Sequence, residues 1–161
     1  MYDLMIIGSG PAGISAALTA KARNLNFIWF GSRALSTKIE KAEKIMNYPG
    51  LPAVTGSEMQ SVFLKQIDDC GITITESQVN SIYDCCGYFA AGADNEIYEA
   101  KAVIMTVGMT TTREIEGEAR LLGCGVSYCA TCDGALYKNK DIAVICASPK
   151  FEDEVTFLAG L

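Results

Sequence analysis

Cys129-Ala130-Thr131-Cys132 brings two thiols within reach of a small-ring disulfide, and Asp133 follows them in a chain that contains no His. Dipoles around such a pair favour one sulfur as the attacking thiolate. Asp133 is the one nearby group able to carry a proton, which makes it the candidate general acid and base of a redox-active dithiol. A second pattern, Gly8-Ser9-Gly10-Pro11-Ala12-Gly13, fits G-x-G-x-x-G. Gly8 allows a tight turn, Gly10 lets backbone approach a pyrophosphate, and Gly13 lets helix and strand touch. The helix N-terminus then faces the phosphates, so the pattern points to a bound dinucleotide. The acidic residue that usually closes the second strand is missing, since Phe30 is followed by Gly31-Ser32-Arg33; Ser32 is the candidate for bonding the ribose instead. A competing reading takes Cys124, Cys129 and Cys132 with Cys146 as the C-x4-C-x2-C ligands of an iron-sulfur cluster, or as a structural zinc site. The position of the dithiol after a nucleotide-binding unit favours the redox pair and no metal.

These residues need elements to hold them. Leu4-Met5-Ile6-Ile7, the glycine turn, the Ala-rich stretch 14–23 and Phe27-Ile28-Trp29-Phe30 make one strand-helix-strand unit with parallel strands. Residues 31–56 predict a long irregular loop. Ser57 and Gln60 have capping-box spacing and open a helix from Glu58 to about Cys70, stopped by Gly71. Short β-branched and aromatic runs from Ile72 predict a small antiparallel insert. Ala102–Val107 returns as a buried strand closed by Gly108. The polar stretch 110–118 reads as a crossover with a domain boundary near residue 112, giving domains 1–112 and 113–161. Ile142–Cys146 then predicts a strand, with a helix after Pro149. The fold class is α/β: a doubly wound, Rossmann-like domain with a small antiparallel β insert, followed by the start of a second such domain, incomplete in this chain.

Half of the 161 residues are hydrophobic and one fifth are charged, which allows a packed core. The net charge of −6 works against a broad phosphate-binding surface, so nucleic acid is not an expected partner. No apolar run reaches the roughly 20 residues of a membrane span, and the N-terminus lacks the basic region of a secretory signal, so a cytoplasmic protein is expected. The lack of His removes Ser-His and Cys-His catalysis and His-ligated zinc. Seven cysteines, an odd number, argue for thiol chemistry or cysteine ligation over a secreted disulfide framework. Cys70, Cys85, Cys86 and Cys146 are expected to be small buried apolar residues.

On Gly8–Gly13, Asn47-Tyr48-Pro49-Gly50, Thr106-Val107-Gly108 and Cys129-Ala130-Thr131-Cys132-Asp133-Gly134, the sequence closely resembles the low-molecular-weight thioredoxin reductase family. The resemblance implies FAD in the first domain, with Gly8, Ser9, Gly10, Pro11, Ala12 and Gly13 at the pyrophosphate, Asn47 near the flavin, and Thr106, Val107 and Gly108 lining the site. It implies that Cys132 faces the flavin ring, that Cys129 attacks the disulfide of thioredoxin, and that Asp133 takes up and returns the proton. It also implies a homodimer whose second domain swings between two positions.

Three departures matter. Where the family has a second glycine turn for NADPH, this chain has Cys146-Ala147-Ser148-Pro149-Lys150-Phe151. Side chains at 146 and 148 hold backbone away from a pyrophosphate, Pro149 removes an N–H, and Phe151 replaces a small residue, so the NADPH site is expected to be lost. The sequence is closer to a subgroup without this turn that takes electrons from reduced ferredoxin; the NADPH-linked enzyme is the alternative. The usual glycine-rich flavin loop is replaced by residues 34–39, inside a stretch with four basic residues from Arg33 to Lys44, which could dock an acidic ferredoxin or simply be a solvated loop. Finally, family members are considerably longer, which places flavin binding by these 161 residues in question.

Overall fold

The first apolar run forms β1 (Tyr2–Ile7), paired in parallel with β2 (Phe27–Phe30), with Leu4 opposite Phe27 and Ile7 opposite Phe30. Between them α1 (Pro11–Ala22) starts at Gly10 with Pro11 in its first turn and stops before Asn24, which takes a left-handed φ of 55°. Three of its four buried residues, Gly13, Ala17 and Ala20, are small, which lets the helix axis come close to β1, and the fourth is Ile14. The structure is a computed structural model that describes residues 1–108, 115–146 and 148–161, without the side chains of Lys38 and Ala119. The chain divides into two units, Met1–Thr37 with Gln60–Thr112, and Lys38–Met59 with Arg113–Leu161. The boundary expected near residue 112 falls among residues 109–114, outside the described residues, as do most of the expected crossover and Ala147.

In the first unit the hairpin strands β3 (Val79–Asp84) and β4 (Phe89–Ala93) and the long β5 (Glu96–Met105) complete one sheet of order β2-β1-β5-β4-β3. The antiparallel segment is therefore the outer half of the main sheet. Residues 96–100 of β5 pair antiparallel with β4, and the same strand then runs on in parallel beside β1, Met105 opposite Ile7. The turn into β5 is the two-residue Asp94-Asn95, at φ 48° and 65°, the primed hairpin geometry that Asp and Asn tolerate. The strand expected to be buried over 102–107 is not: Met105 and Val107 are 63% and 61% exposed. β4 stops pairing at Ala100, so beyond it β5 has β1 alone as a neighbour. One sheet face buries Met5, Ile7, Ile28, Phe30, Ala91, Ala93 and Ala100, and Tyr98 sets its ring edge-on to Phe30 at 5.0 Å.

The helix predicted from Glu58 starts earlier, as α3 (Gly56–Asp69), after the four-residue α2 (Thr37–Glu40). Its capping box is Thr55 with Glu58: the Thr55 hydroxyl accepts the Glu58 N–H at 3.2 Å, and the Glu58 carboxylate accepts the Thr55 N–H at 2.8 Å. Gln60, the expected cap partner, is buried and donates instead to the carbonyl of Ser36. Gly71 at φ 60° ends the helix as predicted.

The second unit is made of short elements: α4 (Glu118–Leu121), α5 (Ala130–Asp133), a 3-10 turn over Gly134–Tyr137, another over Pro149–Phe151, and α6 (Glu152–Ala159). The expected strand over Ile142–Cys146 does not form. A parallel strand exists only by pairing, and among the described residues this segment has no ladder partner; Ile145 is 75% exposed. The cysteines expected to be buried are also corrected. Cys70, Cys86 and Cys146 are exposed and Cys85 is half-buried, because they sit at a helix end, a hairpin turn and this unpaired segment.

Candidate active site

Steric contact fixes the glycine turn. A Cβ at Gly13 would stand 1.9 Å from the carbonyl oxygen of Gly8, and one at Gly8, whose φ is 113°, would stand 2.3 Å from that of Thr106. Thr106, just past β5, ties the turn to the sheet: its N–H donates to the Ile7 carbonyl at 2.7 Å, and its hydroxyl lies 2.9 and 3.0 Å from the carbonyls of Ile7 and Gly8. The indole N–H of Trp29 also donates to the Gly8 carbonyl at 2.9 Å. Gly10 is different, because nothing lies within 4 Å of where its Cβ would be. No side chain caps α1, and its first turn carries no carboxylate, so no side-chain charge offsets the positive polarity of its leading N–H groups, to which Pro11 adds none.

The side chain of Ser9 turns inward. Its hydroxyl donates to the Leu35 carbonyl at 3.1 Å and accepts the Ser32 N–H at 2.9 Å. The first unit thus gathers Gly8 to Gly13, Ser32 and Thr106, with the exposed Val107 and Gly108 following. Asn47 belongs to the second unit, exposed in the loop closed by the Ile45–Val54 bridge. Of the basic residues from 33 to 44, Arg33 is engaged by Asp68 at 3.0 Å, whereas Lys41 and Lys44 are exposed.

In the second unit Cys129 and Cys132 are joined as a disulfide, their Cα atoms 5.3 Å apart. Cys129 is the N-cap of α5 and its Sγ accepts the Cys132 N–H at 3.2 Å. That N–H stabilises negative charge on Cys129 once the bond is reduced. Ser127, which the sequence reading did not single out, accepts the Cys129 N–H at 3.1 Å and donates to the carboxylate of Asp133. Glu118 was missed as well. It is the one buried carboxyl among the described residues; the N–H of Ile115 and then the hydroxyl of Tyr128, next to Cys129, hold it below the usual carboxylate range. Behind the dithiol Gly134 is buried, and a Cβ there would meet Leu161, Leu158 and Phe157 at 3.0 to 3.2 Å, so the α6 end packs against it. Tyr137 closes that 3-10 turn, and burial followed by the charge of Asp133 pushes its phenol up. Cys124 and Cys146 are exposed free thiols, and among the described residues no three Cys, Asp or Glu gather as metal ligands.

The turn before α6 contrasts with the first one. Ser148 caps it by accepting the Lys150 N–H at 3.4 Å, Pro149–Phe151 form a 3-10 turn, and the first turn of α6 carries Glu152, Asp153 and Glu154.

Residues 2–149 match the family described as pyridine nucleotide-disulphide oxidoreductase. The chain belongs to this family. Among its oxidoreductase relatives, the thioredoxin reductase of Bacillus subtilis is 31% identical over 159 residues, which is 98% of this chain and 50% of that protein. A solved ferredoxin-flavin thioredoxin reductase from Clostridium acetobutylicum is 44% identical with a TM-score of 0.68, covering 99% of this chain and 56% of that one. Thioredoxin reductase from Streptococcus pyogenes is 32% identical with a TM-score of 0.83, covering 99% and 53%. The chain spans about half the length of the oxidoreductases it matches.

Proposed function

We propose that this protein is a flavin-dependent disulfide reductase that delivers electrons through Cys129 and Cys132 to thioredoxin, with reduced ferredoxin as the donor. The observation that carries the reading is the dithiol turn: a disulfide at the start of α5, with a backbone N–H on the sulfur of Cys129 and the Asp133 carboxylate held by Ser127. FAD, when bound, supplies the two electrons that open this disulfide. Gly8 to Gly13 fit its pyrophosphate, since the open space at Gly10 and the uncapped N-terminus of α1 form a cradle that any side chain at Gly10 would fill. Ser32, Asn47 and Thr106 to Gly108 are the further contacts proposed for it.

Opening the disulfide takes up two electrons and two protons and leaves two thiols, with Asp133 as the group that passes protons to the sulfurs. Cys129, as the thiolate, attacks one sulfur of the partner disulfide; a mixed disulfide forms and the other partner sulfur leaves as thiolate and is protonated. Cys132 then attacks the sulfur of Cys129, which releases the dithiol form of the partner and restores the Cys129–Cys132 bond.

Ferredoxin is preferred over NADPH because the turn before α6 offers a pyrophosphate few free N–H groups and three carboxylates. The proposal includes a cytoplasmic homodimer with domains 1–112 and 113–161. An anaerobic absorbance titration of the purified protein tests it. Bleaching of a bound flavin by reduced ferredoxin, and none by NADPH, is the expected result. Bleaching by NADPH would overturn the choice of donor, and a protein that takes up no flavin would overturn the flavoprotein reading.

A further inference from the structure

The loop after β2 resolves a conflict left by the sequence. Dinucleotide-binding strands of this kind end in a carboxylate for the ribose hydroxyls, whereas a nearby Arg accommodates a ribose bearing a 2′-phosphate. Here Gly31-Ser32-Arg33 offers a hydroxyl and a cation and no acid. The structure removes the cation and supplies the acid. Nη2 of Arg33 lies 3.0 Å from both carboxylate oxygens of Asp68, so its charge is already matched. The backbone N–H of Arg33 donates to Oε1 of Glu76 at 2.7 Å, which fixes that carboxylate beside the loop.

Glu76 arrives there through a short edge segment. Thr75 forms a parallel bridge with Phe30, its N–H donates to the Trp29 carbonyl at 2.7 Å, and its carbonyl accepts the Gly31 N–H at 3.1 Å. Glu76 therefore sits at the carboxyl end of a segment running parallel to β2, at the end of the sheet where such folds bind their ligands. The loop it meets is held from behind. Residues 32–35 form a turn in which the Leu35 N–H donates to the Ser32 carbonyl at 2.9 Å, and the buried Ser9 hydroxyl spans the same two residues. A Cβ at Gly31 would stand 2.5 Å from that of Ser9, so only glycine admits this packing. The Ser32 hydroxyl accepts the Ala34 N–H at 3.1 Å, and its own proton is directed at no acceptor among the described residues.

We propose that Glu76 is a specificity-determining residue: it supplies, from the neighbouring segment, the carboxylate missing at the end of β2, and with Ser32 it recognises the free 2′-hydroxyl of the ribose. This rests on the dinucleotide reading of the glycine turn given above. The test uses the flavin-free protein and compares its affinity for FAD and for FAD with a 2′-deoxyadenosine, by quenching of flavin fluorescence. The wild-type protein should prefer FAD by about tenfold, the worth of one hydrogen bond to a charged group. Glu76→Ala should erase most of that preference by weakening FAD while leaving the deoxy analogue within about twofold, and Glu76→Gln should fall between them. Glu76 is exposed, so neither variant threatens the core. A Glu76→Ala protein that keeps the full preference, or a wild-type protein that binds both flavins equally, overturns the assignment of Glu76 alone. A wild-type protein that binds neither overturns the dinucleotide reading as well.

Discussion

The turns at residues 8–13 and 148–151 both lead into a helix, and they treat the N–H groups at that helix start in opposite ways. The first leaves them bare: Gly10 caps with backbone only and no carboxylate follows in the first turn of α1. Each lacks one N–H at a proline, Pro11 or Pro149, but the second spends another on the Ser148 hydroxyl and sets Glu152, Asp153 and Glu154 around the rest. A turn that leads into a helix is thus not itself an anion site. What decides is whether the leading N–H groups remain free and whether negative charge already occupies their field.

The largest effect should come from Gly13→Val. Its Cβ would fall 1.9 Å from the Gly8 oxygen, a clash between backbones that no rotamer relieves, so no cooperative thermal transition is expected. Gly10→Val is the matching control in open space. It should leave the melting curve in place yet weaken FAD binding by about a hundredfold or more; unchanged binding would mean that the turn does not face the pyrophosphate. The second turn gives a smaller effect of opposite sign. Replacing Glu152, Asp153 and Glu154 together by Gln, Asn and Gln should strengthen NADPH binding at low ionic strength by about tenfold, from the roughly 0.3–1 kcal/mol that each charge at a helix N-terminus contributes. Calorimetry showing tight NADPH binding before any substitution would erase the contrast.

Acid sharpens the comparison least. The carboxyl of Glu118 is held below its unfolded value, so its contribution is fully present above the ordinary carboxylate range and is lost as pH falls through the lowered value. Melting curves between pH 6 and pH 3 should fall more steeply for the wild-type protein than for Glu118→Gln. Parallel curves would show that the contacts of Ile115 and Tyr128 with Glu118 contribute nothing.

Elements fixed by short-range sterics were readable in the residues. Gly8 and Gly13 are glycine because no other residue fits against Thr106 and Gly8, and a constraint that strict leaves its mark on residue type. The cap of α3 was misplaced by two residues because Thr55/Glu58 and Ser57/Gln60 both satisfy the local rule, and a distant acceptor at Ser36 decided between them. The run 142–146 has strand composition, but pairing is a property of two segments and one segment cannot reveal it. Ser127, Glu118 and Glu76 act through hydrogen bonds set by the path of the chain, which no periodicity announces. The exposed thiols show the same limit, because Cys is apolar enough for either side of a surface.

β1 lies between β2 and β5, with Met5 opposite Val103 and Ile7 opposite Met105. During synthesis the ribosome completes β1, α1 and β2 long before it reaches residue 105. At about 5–20 residues per second, one flank of the middle strand waits unpaired for roughly 5–20 s. That flank is apolar, with bare N–H and C=O groups, the kind of surface that templates aggregation. Expression yield should therefore respond to translation speed and to holding chaperones more strongly than the stability of the finished sheet suggests.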